Sequence, residues 1–150
     1  EARLKLAERL GAEVIDMNRL PEVRKRVEVV KRLTPGGYGA DVVFECTGNP
    51  EAVLEGMRML RRGGRYVIVG QTPEMGEIPM APSVITRNQL ILSGSWAGTG
   101  KHLYKAVKLI ESRKFPFEEL VTHEFTLNET TKALETAEKD PDAVKVVIKL

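Results

Sequence analysis

A chain of 150 residues has the size of one domain, and 23 basic against 21 acidic side chains leave a formal net charge of +2. It has no basic run or stripe with interleaved aromatics, which argues against nucleic acid, and no apolar run near the ~18 residues of a membrane span, which argues against a membrane. Cys46 is the single cysteine, so an intramolecular disulfide framework is excluded and the cytoplasm is the expected compartment.

The chain opens on Glu1 already in helical rhythm, and so reads as the later part of something longer. Leu4, Ala7 and Leu10 share one helical face, with Gly11 at the capping position, and residues 13–16 read as a short strand. Pro21 suits a first helical position, and Val23, Val27, Val30 and Leu33 form an apolar stripe that Pro35, Gly36 and Gly37 bring to an end. The run from Ala40 to Gly48 reads as a buried strand ending in a glycine turn. Asn49 then caps, and Pro50 begins, a helix that turns Val53, Met57 and Leu60 inward, with Gly63 just beyond its end. A second strand from Arg65 to Gly70 repeats the glycine ending, and two strands joined by a helix of this length predict a βαβ unit with parallel strands.

The run from Gln71 to Arg87, with Pro73, Pro79 and Pro82, reads as the longest loop. Leu90 to Ser95 is a further strand, and Leu103, Ala106, Val107 and Ile110 mark a helix. Leu120 to Phe125 reads as another strand. Thr126 and Glu129 have capping-box spacing for a helix that ends before Asp140 and Pro141, and Lys145 to Leu150 closes the chain as a strand. This alternation predicts an α/β fold.

Gly48, Gly70 and Gly94 all stand at strand carboxyl ends, where a glycine either lets a ligand approach the backbone or simply serves a turn; three in register favour the ligand. Cys46 reads as a small residue packed beside a ligand rather than a nucleophile or zinc ligand. Glu45 reads as an orienter of backbone amides or a cation rather than a base. His102 and His123 lack the spacing of a metal pair, and Ser95 is not in a nucleophile elbow. Trp96 is expected in the core, and Arg3 and Lys145 are ordinary solvated cations on their own pattern.

The order of these signals resembles the medium-chain zinc-type alcohol dehydrogenase family, with sorbitol and threonine dehydrogenase-like members nearest in character. The likeness runs from Arg3, Leu4 and the Leu10-Gly11-Ala12 turn, through residues 39–48 and 60–70, to Leu92-Ser93-Gly94-Ser95-Trp96 and the segment 144–148. It implies an incomplete Rossmann-type parallel sheet, the second half of an NAD- or NADP-binding domain over residues 1–100. A C-terminal helix-strand segment over residues 101–150 would return to the catalytic domain. By the same resemblance Cys46, Thr47 and Gly48 line the path from adenosine to nicotinamide, and Val69, Gly70 and Gln71 meet the nicotinamide amide through the backbone. Gly98 and Thr99 border its other side, Arg3 contacts the adenosine ribose and Lys145 approaches the pyrophosphate.

The resemblance places the glycine-rich phosphate turn, the acidic ribose reader and the zinc ligands before Glu1, so no residue of this chain is expected to be catalytic or to hold metal. Residues 13–16 would be the third strand of a 3-2-1-4-5-6 order. The strand at residues 42–46 would then show an unpaired edge where the central strand belongs. The implied activity is hydride transfer between a small alcohol or polyol and nicotinamide in a homo-oligomer paired through Leu90 to Ser95. The alternatives are a zinc-free quinone or enoyl reductase relative and a non-catalytic, self-associating fragment.

Overall fold

The computed structural model describes residues 1–71 and 77–150. It divides into two compact units, residues 17–97 and residues 1–16 with 98–150, each built on its own parallel sheet.

The first unit contains α2 (Val23–Leu33), β1 (Ala40–Glu45), α3 (Pro50–Met59), β2 (Leu60–Ile68), α4 (Ser83–Asn88) and β3 (Ile91–Gly94). Its strands lie in the order β1-β2-β3, all parallel, which is the arrangement expected of the second half of a doubly wound sheet. Val43 stands beside Tyr66, and Tyr66 beside Leu92. This row meets Val53 and Met57 of α3, and Leu60 and Leu90 complete the buried cluster. Each such apolar side chain contributes about 1.5–3 kcal/mol on burial. Tyr66, wholly buried, donates its hydroxyl to the Val53 carbonyl at 3.0 Å, so its one polar atom is satisfied inside the core.

Asn49 caps α3 by accepting the Glu51 amide at 2.9 Å, and Pro50 follows at the first helical position, as the sequence predicts. The helix ends at Met59 rather than just before Gly63, however, and Leu60 is the first residue of β2 instead of the last turn of α3. The ladder steps from Ala40 opposite Leu60 to Val42 opposite Arg65, and the surplus residues of β2 around Gly63 absorb the turn within the strand.

Three further expectations change. Residues 13–16 form no strand, because a strand needs a neighbour and no described strand pairs with them. Pro21 lies before α2, whose N-cap is Glu22. Part of the run read as loop is the short helix α4, which ends on Gln89 in the left-handed conformation at φ 52°; residues 72–76 of that run lie outside the described residues.

Parallel sheets are normally covered on both faces. Here α3 covers one, while on the other Val42, Phe44 and Ile91 are 45 %, 65 % and 53 % exposed. The outer edge of β1 carries no strand among the described residues, as expected, and a cleft of about 250 Å³ lined by Met17, Val23, Phe44, Cys46 and Tyr66 opens beside it.

The second unit contains α1 (Ala2–Arg9), α5 (Gly100–Glu111), β4 (Val121–Thr126), α6 (Thr130–Lys139) and β5 (Lys145–Lys149), with β4 and β5 parallel and joined through α6. Thr126 and Glu129 form the predicted capping box: the Thr126 amide and hydroxyl donate to Glu129 Oε2 at 3.1 and 2.9 Å. The Thr126 amide, then its hydroxyl, hold the Glu129 carboxyl below the ordinary range. Leu103 and Ile110, among the residues that mark α5 in the sequence, are exposed, with no buried residue anywhere on the helix. No helix among the described residues is long and apolar enough to cross a membrane.

Candidate functional site

β1 and β2 run parallel and end side by side, so the turns that follow them, residues 46–48 and 69–71, meet at the carboxyl end of the sheet. The chain turns at Gly48 with φ 71°, a conformation that disfavours any residue with a Cβ. A Cβ there would overlap the Gln71 carbonyl oxygen and lie 2.7 Å from its carbon. A Cβ on Gly70 would overlap the Gly48 nitrogen and come within 2.6 Å of Glu45 Oε2 and 2.8 Å of the Thr47 nitrogen. These two glycines therefore let the two turns touch backbone to backbone. Gly94, at the end of β3, has open space around the same position.

Glu45 joins the turns. Its backbone carbonyl accepts the Val69 and Gly70 amides at 2.8 and 2.9 Å, which binds the end of β1 to the turn after β2. Its side chain folds back onto its own turn, where Oε1 accepts the Thr47 amide and hydroxyl, each at 2.6 Å, and the Gly48 amide at 2.8 Å. The residue is 4 % exposed, and Oε2 is buried without a hydrogen-bond partner. Burial alone pushes this carboxyl up, but the Thr47 hydroxyl and the amides of Thr47, Gly48 and Gly70 outweigh it and hold Glu45 below the ordinary carboxylate range. Burial and then the Glu45 charge push the Tyr66 phenol in the opposite direction, up to about 12.

Beneath α3, Arg26 makes a two-pronged pair with Glu55, Nε to Oε1 and Nη2 to Oε2, both at 2.7 Å. Its Nη1 donates to the Leu20 and Pro21 carbonyls at 2.7 and 2.6 Å. The hydrogen bonds it donates to Glu55, with the Glu55 charge, outweigh burial and raise the already high pKa of this guanidinium. The pair fixes α2 and the segment before it to α3, whose N-terminus follows the Glu45 turn.

Of the residues singled out by sequence, Cys46, Thr47, Gly48, Val69, Gly70 and Gln71 are brought together at these turns, with Cys46 exposed at the surface. Arg3, Gly98, Thr99 and Lys145 belong to the other unit. There Arg3 Nη2 donates to the Ala143 carbonyl at 2.9 Å, two residues before Lys145 opens β5. Thr99 is the N-cap of α5, and its amide donates to His102 Nδ1 at 3.2 Å, so His102 caps a helix. Trp96 was expected in the core, but it is 78 % exposed, following β3 at a point where the described residues supply no cover. Among the described residues no group of three or more His, Cys, Asp and Glu side chains converges, so these residues do not build a metal centre.

The profile of zinc-binding dehydrogenases matches residues 1–112. The chain belongs to the zinc-binding dehydrogenase family. Within that family it is 37 % identical over 146 residues to an erythritol/L-threitol dehydrogenase of Mycolicibacterium smegmatis, covering 96 % of this chain and 38 % of that protein. It is 33 % identical over 148 residues to a sorbitol dehydrogenase of Halalkalibacterium halodurans, covering 99 % of this chain and 41 % of the other. The crystal structure of an alcohol dehydrogenase from Thermotoga maritima superimposes with a TM-score of 0.88 at 33 % identity, over 97 % of this chain and 40 % of that one. This zinc-binding dehydrogenase chain thus spans about two fifths of the length of the curated relatives it matches. The three-stranded parallel sheet of its first unit corresponds to the Rossmann-type half of such enzymes.

Proposed function

We propose that this chain is the cofactor-binding part of an NAD- or NADP-dependent alcohol or polyol dehydrogenase. The observation that carries the reading is the pair of backbone-packed turns at the carboxyl ends of β1 and β2, where ligands of open α/β sheets gather. The names of the relatives, an erythritol/L-threitol and a sorbitol dehydrogenase, support a polyol-like substrate.

In this reading Thr47, Gly48, Val69, Gly70 and Gln71, with Cys46 at the rim, form a floor that orients the dinucleotide. Arg3, Gly98, Thr99 and Lys145 belong to the other unit and are assigned to the dinucleotide by the family resemblance alone, Arg3 and Lys145 as cations for its sugar and phosphate portions. The bound dinucleotide supplies the hydride acceptor or donor. The protein side of the chemistry here is to bind and orient, and the rigidity imposed by Glu45 on both turns serves that task. The described residues do not fit a zinc site, and its ligands would lie in the part of the relatives that this chain does not span.

The outer edge of β3, with Ile91 53 % exposed, supports a two-fold pairing of copies through residues 90–95, and the lone cysteine supports a cytoplasmic setting. Calorimetric titration of the intact protein with NAD and NADP, followed by assay against a panel of alcohols and polyols, tests the reading. Saturable binding of one dinucleotide and its reduction by a polyol are expected. Absence of binding to either dinucleotide would overturn it.

A further inference from the structure

Glu45 closes β1 beneath both turns of the candidate site: its carboxylate accepts the Thr47 and Gly48 amides, while its carbonyl accepts those of Val69 and Gly70. Two consequences follow. The turns become one body, since a single residue is hydrogen-bonded to both and the glycines leave no gap between them. A carboxylate is also buried directly under that body: Oε1 accepts three hydrogen bonds from Thr47 and Gly48, Oε2 stands against Gly70, and no cation pairs with it among the described residues. Tyr66, from the neighbouring strand, does not neutralise it: its hydroxyl is committed to the Val53 carbonyl. The Arg26 guanidinium is likewise spent on Glu55 and on two backbone carbonyls.

An unneutralised buried charge acts over several ångströms because little solvent screens it. The two redox forms of a nicotinamide differ by one positive charge on the ring. Resting on the cofactor reading above, we propose that Glu45 is a positioning residue that holds the two turns in register and whose charge makes this site favour the cationic, oxidised nicotinamide over the neutral, reduced one. The geometry of the turns and the charge beneath them are separable properties of one side chain, and each can be altered alone.

Glu45→Gln keeps the length and one acceptor oxygen and removes the charge. Glu45→Asp keeps the charge and withdraws the carboxylate from the amides. Dissociation constants for the oxidised and reduced forms of the preferred dinucleotide are measured on the intact protein by titration calorimetry and by fluorescence of the reduced ring. Glu45→Gln is expected to weaken the oxidised form about five- to ten-fold more than the reduced form, an effect of the size that one charge exerts across a partly screened site. Glu45→Asp is expected to weaken both forms together and leave their ratio within about two-fold of the unaltered protein. Equal weakening of the two forms in Glu45→Gln, or no weakening, would overturn the proposal. If Glu45→Gln does not fold, a changed ratio in Glu45→Asp overturns it and an unchanged ratio with both forms weakened supports it. Failure of the unaltered protein to bind either form would instead overturn the cofactor reading itself.

Discussion

Replacing Gly70 by alanine tests the contact on which the candidate site is built. The added methyl would overlap the Gly48 nitrogen, with Glu45 Oε2 at 2.6 Å and the Thr47 nitrogen at 2.8 Å. Two of these are backbone, and the third is a carboxylate tethered through Oε1 to Thr47 and Gly48, so none can swing aside as a flexible side-chain end would. Overpacking of this kind costs about 1–3 kcal/mol, and with three unyielding neighbours the upper part of that range is expected. Gly94→Ala is the matched control, since nothing stands within 4 Å of its Cβ position and its φ is not positive; a change within about 0.5 kcal/mol is expected there. Urea unfolding of the intact protein without dinucleotide, followed by far-ultraviolet circular dichroism, reads both. A Gly70→Ala protein as stable as Gly94→Ala would refute the backbone-to-backbone packing of the two turns. Because Gly70→Ala disturbs the turns themselves, any loss of cofactor affinity in it follows from packing. A bulkier residue at Gly94 tests ligand approach more cleanly.

Arg26→Met leaves the Glu55 carboxylate, 14 % exposed, and the Leu20 and Pro21 carbonyls without their donor, and a loss of about 3–5 kcal/mol by chemical denaturation is expected. Making both sites apolar, Arg26→Met with Glu55→Met, should recover most of that loss; a double variant as unstable as the single one would count against the pair as the cause. Tyr66 has its pKa raised from 10.0 to about 12, so its contribution is complete below pH 10 and is lost as pH rises through about 12. Stability measured across this window should fall with pH, and Tyr66→Phe should flatten that part of the profile. Glu45 has the opposite sign: its pKa is lowered from 4.5, so its contribution is present above pH 4.5 and disappears on acidification through the lower folded value. Acid denaturation of Glu45→Gln should lack this component.

Much of the first unit was legible from local grammar. β-branched runs closed by Gly48, Gly70 and Gly94, with Asn49 and Pro50 opening the intervening helix, were enough for three parallel strands in order. The reason for the glycines was not legible, because it lies in contacts between turns more than twenty residues apart. At Gly48 and Gly70 the close neighbour is another backbone rather than open space. Arg26 was hidden for a similar reason. Beside the apolar stripe of α2 it looks like one more surface cation, and its partner Glu55 is 29 residues away on another helix. Trp96 and the open face of α5 fail in the reverse direction, since an apolar residue identifies a surface that wants cover but not what supplies it. Residues 13–16 have the composition of a strand, yet a strand exists only with a partner, and none of the described strands is adjacent to them.

Amide hydrogen exchange on the intact protein, with and without saturating NAD or NADP, tests the central claim most directly. The account predicts added protection at residues 46–48 and 69–71 when dinucleotide is bound. Binding that leaves the exchange of both turns unchanged would contradict it.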